Sequence, residues 1–581
     1  MLKRLSGCIR EYKVPSFLAS LFVSLEVVME VIIPYYMGKL LDNGVEKGDM
    51  NYILKVGAML AVFCAMSLAF GVLSGKNAAY ASAGFSKNLR HDMFHNVQNY
   101  SFSNIDRFSV SSLVTRLTTD VTNLQNAYQM IIRIAVRSPL MLIFSLIMSF
   151  RVNHKLSLIF LCVLPILALG LAYIVSHAHP IFERVFKTYD ILNRVVSENL
   201  HGIRVVKSFV REEKEKEKFN SVSQNIFEKF VSAEKLLAFN APLMQFSAYT
   251  TMILVSWFGA KLIVQSGNNA QFGMTTGDLI ILITYSMQIL MTLMMLSMIF
   301  VMLTMSKASA ERIYEVLNEE SDLKNPENPV MTVKDGCIEF DNVGFSYTGN
   351  EEKLCLKNAS FKINSGETVG IIGSTGSSKS TLVQLIPRLY DATTGSVKVA
   401  GTDVRDFDLD TLRDQVAMVL QKNVLFSGTI KENLRWGNEN ATDEEIEEAC
   451  RFAQADGFIK EFPDGYDTYI EQGGTNVSGG QKQRLCIARS LLKKPKILIL
   501  DDSTSAVDTK TDALIRDAFK KFIPETTKII IAQRISSIEH ADKIIVLDDG
   551  EIENIGTHEE LLKNDEIYSE IYNSQTKGEK A

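Results

Sequence analysis

The sequence has no paired cysteines. Its seven, Cys8, Cys64, Cys162, Cys337, Cys355, Cys450 and Cys486, are scattered without a CxxC spacing. That excludes a disulfide framework and a cysteine metal knuckle, and leaves reduced thiols as bystanders. Excess charge is missing too. Against 61 Lys and Arg stand 67 Asp and Glu, a net charge of -6 over 581 residues. No basic stripe is interleaved with aromatics, so no nucleic-acid partner is expected. A cleavable leader is not expected either. The N-terminus MLKRLSGCIREYK is basic, but the apolar run behind it is too long for a signal-peptide core and continues past Pro34, which reads as an uncleaved first span.

What is present divides the chain. The mean hydropathy of +0.08 averages over two unlike halves. About 310 N-terminal residues carry long apolar runs, and the rest reads as a soluble α/β protein. A membrane span needs about 20 mostly apolar residues. Six segments meet this: Pro15 to Leu40, Tyr52 to Ala79, Ile131 to Phe150, Leu156 to Val175, Leu237 to Val264 and Leu279 to Met305. The third and fourth are joined only by Arg151 to Lys155 and form a hairpin. The two long connections, second to third and fourth to fifth, are polar and lack Pro/Gly clusters. They are expected to be helices continuing beyond the bilayer, each turning near its middle. Lys3, Arg4, Arg10 and Lys13 in the N-terminus, and Lys207, Arg211, Lys214, Lys216 and Lys218 in the second connection, predict a cytoplasmic side for both. The stretch QSGNNAQFGMTTGD between spans five and six has neither Lys nor Arg and is expected outside.

Charges at membrane depth are costly and face a cavity or a partner. Glu26 and Glu30 lie four apart on one face of span one. Two readings stand for them: a binding or gating site for a cationic group, or a packing pair near another helix or the outer headgroups. Arg133 and Arg137 share a face at the start of span three, and read as interfacial snorkelling or a structural ion pair.

The expected domains are 1–317 in the membrane, a proline- and charge-rich linker over 318–335, and a nucleotide-binding domain over 336–581. Within the last, a buried strand ending in VGIIG leads into Gly373-Ser374-Thr375-Gly376-Ser377-Ser378-Lys379-Ser380-Thr381 and then a helical pattern. Strand, glycine-rich loop and helix in this order make a phosphate-binding loop. Backbone N–H groups and the helix start converge on an anion. Lys379 supplies a point charge for ATP phosphates, and Ser380 a hydroxyl for Mg²⁺. Ser378 stands where glycine is expected. If that residue is left-handed, serine costs roughly 1–2 kcal/mol. Charge-assisted hydrogen bonds of about 1.5–3 kcal/mol each outweigh that, so ATP binding should survive.

Further on, KILILDD is a buried strand ending in Asp501 and Asp502, with Asp501 placed to hold Mg²⁺. Between loop and strand lies VSGGQKQR, whose core is Ser478-Gly479-Gly480-Gln481. These three motifs, in this order and spacing, resemble ABC exporters of the bacterial multidrug type, over essentially the whole chain. The resemblance implies a six-helix, all-α membrane domain followed by an α/β P-loop NTPase domain. It implies that Tyr347 stacks on adenine, that Gln421 reaches Mg²⁺ and senses the membrane domain, and that Ser505-Ala506-Val507-Asp508 is the D-loop. It also implies that the turns of the two long connections are coupling helices, and that Ser478 to Gln481 act on the ATP of a second subunit.

Two further positions depart from an active member of that family. Asp502 stands where a glutamate positions the attacking water, which retracts the carboxylate by about 1.5 Å. A misplacement near 1 Å can cost about 10²-fold in rate. Gln533 replaces the switch histidine and has no titratable ring. An intact signature beside a weakened catalytic pair favours one half of a heterodimer with a second ABC half-transporter. The expected activity is ATP-driven export of amphipathic drugs, lipids or peptides across the cell membrane. A homodimeric exporter and an ATP-gated regulator or channel remain as alternatives.

Overall fold

The computed structural model describes residues 1–269, 273–503 and 507–578. The chain divides into two compact units: Met1–Gln98 with Val110–Glu319, and Asn99–Ser109 with Glu320–Ala581.

Among the described residues, the first unit is built of helices joined by short turns. Its long elements are α1 (Lys13–Leu40), α2 (Met50–Gln98), α4 (Val121–Val152), α5 (His154–His201), α6 (Glu212–Leu237), α7 (Asn240–Ser266) and α8 (Thr276–Asn318); the short α3 (Phe102–Phe108) belongs to the second unit. Among the described residues, six helical segments are long and apolar enough to cross a membrane. Pro34 and Pro139 sit inside α1 and α4 without ending them, as membrane helices tolerate. The long connections are helical as well. α2 runs unbroken for 49 residues, and α5 and α6 flank a one-turn helix at Ile203–Ser208.

Polar side chains fasten this bundle at its ends. After α1 the helix widens to a π segment, Leu41–Val45, that carries the buried Asp42. Asp42 accepts from the Thr275 hydroxyl at 2.7 Å and from the Gly277 N–H at 2.8 Å, so it satisfies orphan donors at the start of α8. Gly277 is required there, since a Cβ would run into the Gly38 carbonyl. A second π segment, Arg116–Asp120, buries Asp120, which accepts from Arg312 Nε at 2.7 Å and Ser309 Oγ at 2.9 Å on α8.

The second unit is built on a six-stranded, mostly parallel sheet. Its strands are β3 (Thr368–Gly373), β5 (Val416–Val419), β6 (Ile497–Asp501), β7 (Thr527–Ile531), β8 (Lys543–Asp548) and β9 (Glu551–Gly556), in the order β9-β8-β3-β7-β6-β5. β6 and β7 are buried at every position, as continuous apolar runs covered on both faces are. An antiparallel sheet of β1 (Ile338–Phe345), β2 (Leu356–Ile363) and β4 (Thr394–Val399) packs into the same core. The helices that matter for the site are α9 (Lys379–Gln384), α10 (Gly479–Leu492), α11 (Thr509–Phe522) and α12 (Glu566–Gly578). α3 is fixed in this unit: the Tyr390 hydroxyl donates to Asp106 at 2.7 Å, and the Phe102 and Tyr390 rings stand 6.0 Å apart.

Candidate nucleotide-binding site

Parallel strands bring their C-terminal ends to one edge, and the loops that follow β3, β6 and β7 meet there. The glycine-rich loop leaves β3 at Gly373, where a Cβ would sit almost on the Leu547 carbonyl oxygen of β8. Only glycine lets the loop turn this close to the sheet. Gly376 has φ +90. Ser378 is left-handed, with φ 68 and ψ 23, and opens α9. The conditional cost of serine therefore applies, but its hydroxyl donates to the Cys355 carbonyl at 2.6 Å and recovers part of it.

Lys379 folds over the loop. Its ammonium donates to the Gly373 carbonyl at 3.0 Å, the Ser374 carbonyl at 2.7 Å and the Ser377 hydroxyl at 3.2 Å. Three donors thus have three acceptors, all from the loop itself. Burial pushes this ammonium below its ordinary value, and the nearby Asp501 and Asp502 carboxylates oppose the shift. Ser380 Oγ donates to Asp501 Oδ1 at 3.0 Å. Asp501 is 3% exposed. Burial raises its pKa, the Asp502 charge adds to that, and Ser380 and Lys379 pull the other way. A hydroxyl and a carboxylate side by side, both hard oxygens, fit Mg²⁺. When bound, that ion supplies charge neutralisation for phosphate oxygens.

Asp502 follows at φ 48, with its N–H donating to the Ile531 carbonyl at 3.0 Å. Its carboxylate faces two amides: Gln533 Nε2 donates to Oδ2 at 2.7 Å, and Gln421 Nε2 lies 3.5 Å from the same oxygen. Tyr347 is 55% exposed, with its hydroxyl 2.9 Å from Thr381 Oγ1 on α9 and its ring edge-on to Phe345 and Tyr390.

The fold therefore brings together Gly373, Ser374, Ser377, Ser378, Lys379, Ser380, Thr381, Tyr347, Asp501, Asp502, Gln421 and Gln533 through one network of contacts, with Thr375 and Gly376 at the exposed tip of the loop. The signature residues stand apart. Ser478 caps α10, accepting from the Gln481 N–H at 3.3 Å, while its own N–H donates to Gln481 Oε1 at 2.9 Å, and Gly479 and Gly480 form the first turn. Ser505 and Ala506 of the expected D-loop lie outside the described residues; Asp508 caps α11 through the Thr511 N–H. Sequence reasoning missed Asp548, which accepts from Ser374 Oγ at 3.0 Å. No local motif marks it, because it arrives from the end of a parallel strand 174 residues away.

The membrane carboxylates lie in the other unit, and they divide. Glu30 receives Arg137 Nη2 on both oxygens at 2.7 Å, which answers for Arg137 as an ion pair. Glu26 is 3.8 Å from Arg137, and among the described residues its buried Oε2 has no hydrogen-bond partner. It lines a cavity of about 520 Å³ shared with Ser67, Cys64, Gly71 and Arg133.

Two family models match the chain: ABC transporter transmembrane region over residues 16–315, and ABC transporter over 356–505. The chain belongs to the ABC transporter family. An uncharacterized ABC transporter ATP-binding protein, YfiB of Bacillus subtilis, is 38% identical over 98% of this chain and 97% of its own length. An ATP-dependent lipid A-core flippase of Desulfotalea psychrophila is 31% identical over 99% of each. The structure of a bacterial Atm1-family ABC exporter with ATP bound has the same fold, at a TM-score of 0.79 over 98% of both chains and 24% identity. The family is thus a multi-pass membrane protein with an ATP-binding domain.

Two outcomes follow for the site of this ABC transporter chain. Ser378→Ala keeps the left-handed cost and loses the bond to Cys355, so its melting temperature should fall by the equivalent of about 1 kcal/mol. Ser378→Gly loses the bond but removes the cost, and should melt close to the unaltered chain; differential scanning fluorimetry orders the three. Asp501→Asn removes a buried charge, so without nucleotide it should melt higher than the unaltered chain at neutral pH. That gap should close as pH falls through the raised Asp501 pKa, because the carboxyl is then neutral in both. The same variant should lose the thermal shift that Mg·ATP produces.

Proposed function

We propose that this chain is one half of an ATP-driven exporter of amphipathic compounds, and that it works with a different, hydrolytically competent half-transporter. The observation that carries the reading is the pair Asp502 and Gln533. A general base needs a free lone pair and the reach to touch the attacking water. Asp502 is one methylene short, and the Gln533 amide donates to its Oδ2 at 2.7 Å and holds the carboxylate toward the switch position. Gln533 donates but cannot take up a proton. ATP binding keeps its parts: the loop, the Lys379 ammonium, which trades loop oxygens for phosphate oxygens, and the Ser380–Asp501 pair for Mg²⁺.

The signature Ser478 to Gln481 is capped and ordered, ready to complete an ATP site on a second subunit. In this reading ATP binding at both sites closes the nucleotide domains and opens the membrane cavity outward. Hydrolysis at the partner's site resets it, while this chain's own site holds ATP longer. Export, the amphipathic cargo and the bilayer setting draw support from the lipid A-core flippase relative and from the exporter fold. The basic N-terminus and second connection favour a cytoplasmic face for the N-terminus and the ATP-binding domain.

Glu26 is the one intramembrane carboxylate of the two that remains a candidate in the substrate pathway. Glu30 is neutralised by Arg137, whereas Glu26 carries a buried oxygen that has no hydrogen bond among the described residues, beside a cavity.

ATP hydrolysis by the purified chain, alone and mixed with the half-transporter encoded beside it, tests the reading. The chain alone should turn over negligibly. The mixture should be active, and Ser478→Ala on this chain should abolish that activity. Robust turnover by the chain alone would make Asp502 and Gln533 competent and the transporter a homodimer. For the membrane site, Glu26→Gln should weaken vesicle uptake of a cationic amphipath while leaving basal ATPase intact; Glu30→Gln, which frees Arg137, should lower the melting temperature instead.

A further inference from the structure

The switch position is held from behind by the last helix of the chain. Gln533 follows β7, and its side chain reaches Asp502. Its backbone carbonyl accepts from Gln575 Nε2 at 2.8 Å, and two residues on, the Ile535 N–H donates to Gln575 Oε1 at 2.9 Å. One side-chain amide thus takes both a donor and an acceptor of the loop, as a neighbouring strand would. It pins the peptides on either side of Arg534 and so fixes the direction in which Gln533 leaves the backbone.

The amide is carried there by a rigid support. Along α12, Tyr568, Ile571, Tyr572 and Gln575 recur at the i, i+3, i+4, i+7 spacing of one helix face. Tyr568 is fully buried, its hydroxyl 2.7 Å from His558 Nδ1 and its N–H donating to Asp565 Oδ1 at 2.7 Å. Ile571 and Tyr572 pack on the main core of the domain. The helix stripe that anchors α12 therefore aims Gln575 at the loop. The loop itself is anchored from below, where Ile535 and Ile538 are buried.

We propose that Gln575 is a positioning residue for the ATP site, and that α12 sets the stance of Gln533 toward Asp502 and the terminal phosphate. The functional half of this inference rests on the reading of Gln533 given above; the clamp itself does not. A displacement of α12 would be read at Asp502 through Gln533 without touching nucleotide.

The test uses the full-length chain and separates the two halves. Amide hydrogen exchange is measured over the peptide covering 532–538 in the unaltered chain, Gln575→Ala and Gln575→Glu. Gln575→Ala should exchange at least about five-fold faster at Ile535, the weight of one lost hydrogen bond. Gln575→Glu keeps an acceptor for the Ile535 N–H and should retain that protection, and both variants should still melt in one cooperative transition. Because the chain alone is expected to turn over negligibly, release of Mg·ATP is then followed in the same variants and on a Gln533→Ala background. Gln575→Ala should speed that release about five-fold, and should add nothing once Gln533 is gone. Unchanged exchange in Gln575→Ala would overturn the clamp. Faster exchange with an equal speeding of release on the Gln533→Ala background would overturn the positioning role and leave only a structural contact, whatever the mixture experiment says of the heterodimer.

Discussion

Charge kept out of water governs the ATP-binding domain. Two carboxylates and an ammonium stand at the C-terminal edge of a parallel sheet whose central strands are buried on both faces. An unsatisfied charge there would be prohibitive, so each one is met by neutral polar groups: Asp501 by Ser380, Asp502 by Gln533, and Lys379 by the loop oxygens around it. The arrangement is tolerable without ligand and improves when an anion and a divalent cation arrive together, since the ammonium then gains phosphate oxygens and the carboxylate gains a metal. Nucleotide binding is in this sense the completion of an electrostatic set that the fold leaves deliberately lopsided.

The membrane unit obeys the same rule in a drier setting. Asp42 is buried against the start of α8 and Asp120 against Arg312, and the half-buried Glu30 pairs with Arg137. Each ties together helices distant in sequence. Two of the three lie in or beside π segments, where one extra residue in the turn swings a polar side chain toward a neighbour it could not otherwise reach. Glu26 meets Arg137 only at 3.8 Å and leaves its Oε2 without a hydrogen bond among the described residues, beside a cavity, which is why it is the one retained in the proposed substrate pathway.

Legibility in the sequence tracked how local each feature is. The six spans, the helical long connections and the strand–loop–helix of the phosphate loop are written in runs and spacings of a few residues, and the structure has them. The left-handed turn at Ser378 was readable as a condition, because the motif itself names the position that wants glycine. The ion pair of Glu30 with Arg137 was readable only as two separate faces, since the two stand 107 positions apart in the chain. The meeting of Gln533 with Asp502 was implied only through the family resemblance, and the arrival of Asp548 at the loop and the clamp from Gln575 left no sequence signal. They depend on which strands neighbour each other in the sheet, and a parallel sheet scrambles chain order. The π segments were equally invisible, because they change a helix by a single residue.

Ser378 has an implication beyond its strain. Glycine at that point would leave the unfolded and the nucleotide-free loop free to sample both hands of the backbone. Serine, with its hydroxyl tied to Cys355, narrows that ensemble to very few shapes. What is lost in torsional energy is partly returned as conformational entropy that need not be surrendered when phosphate arrives. A loop of this kind can meet an anion with little rearrangement, because its shape is set before the anion arrives.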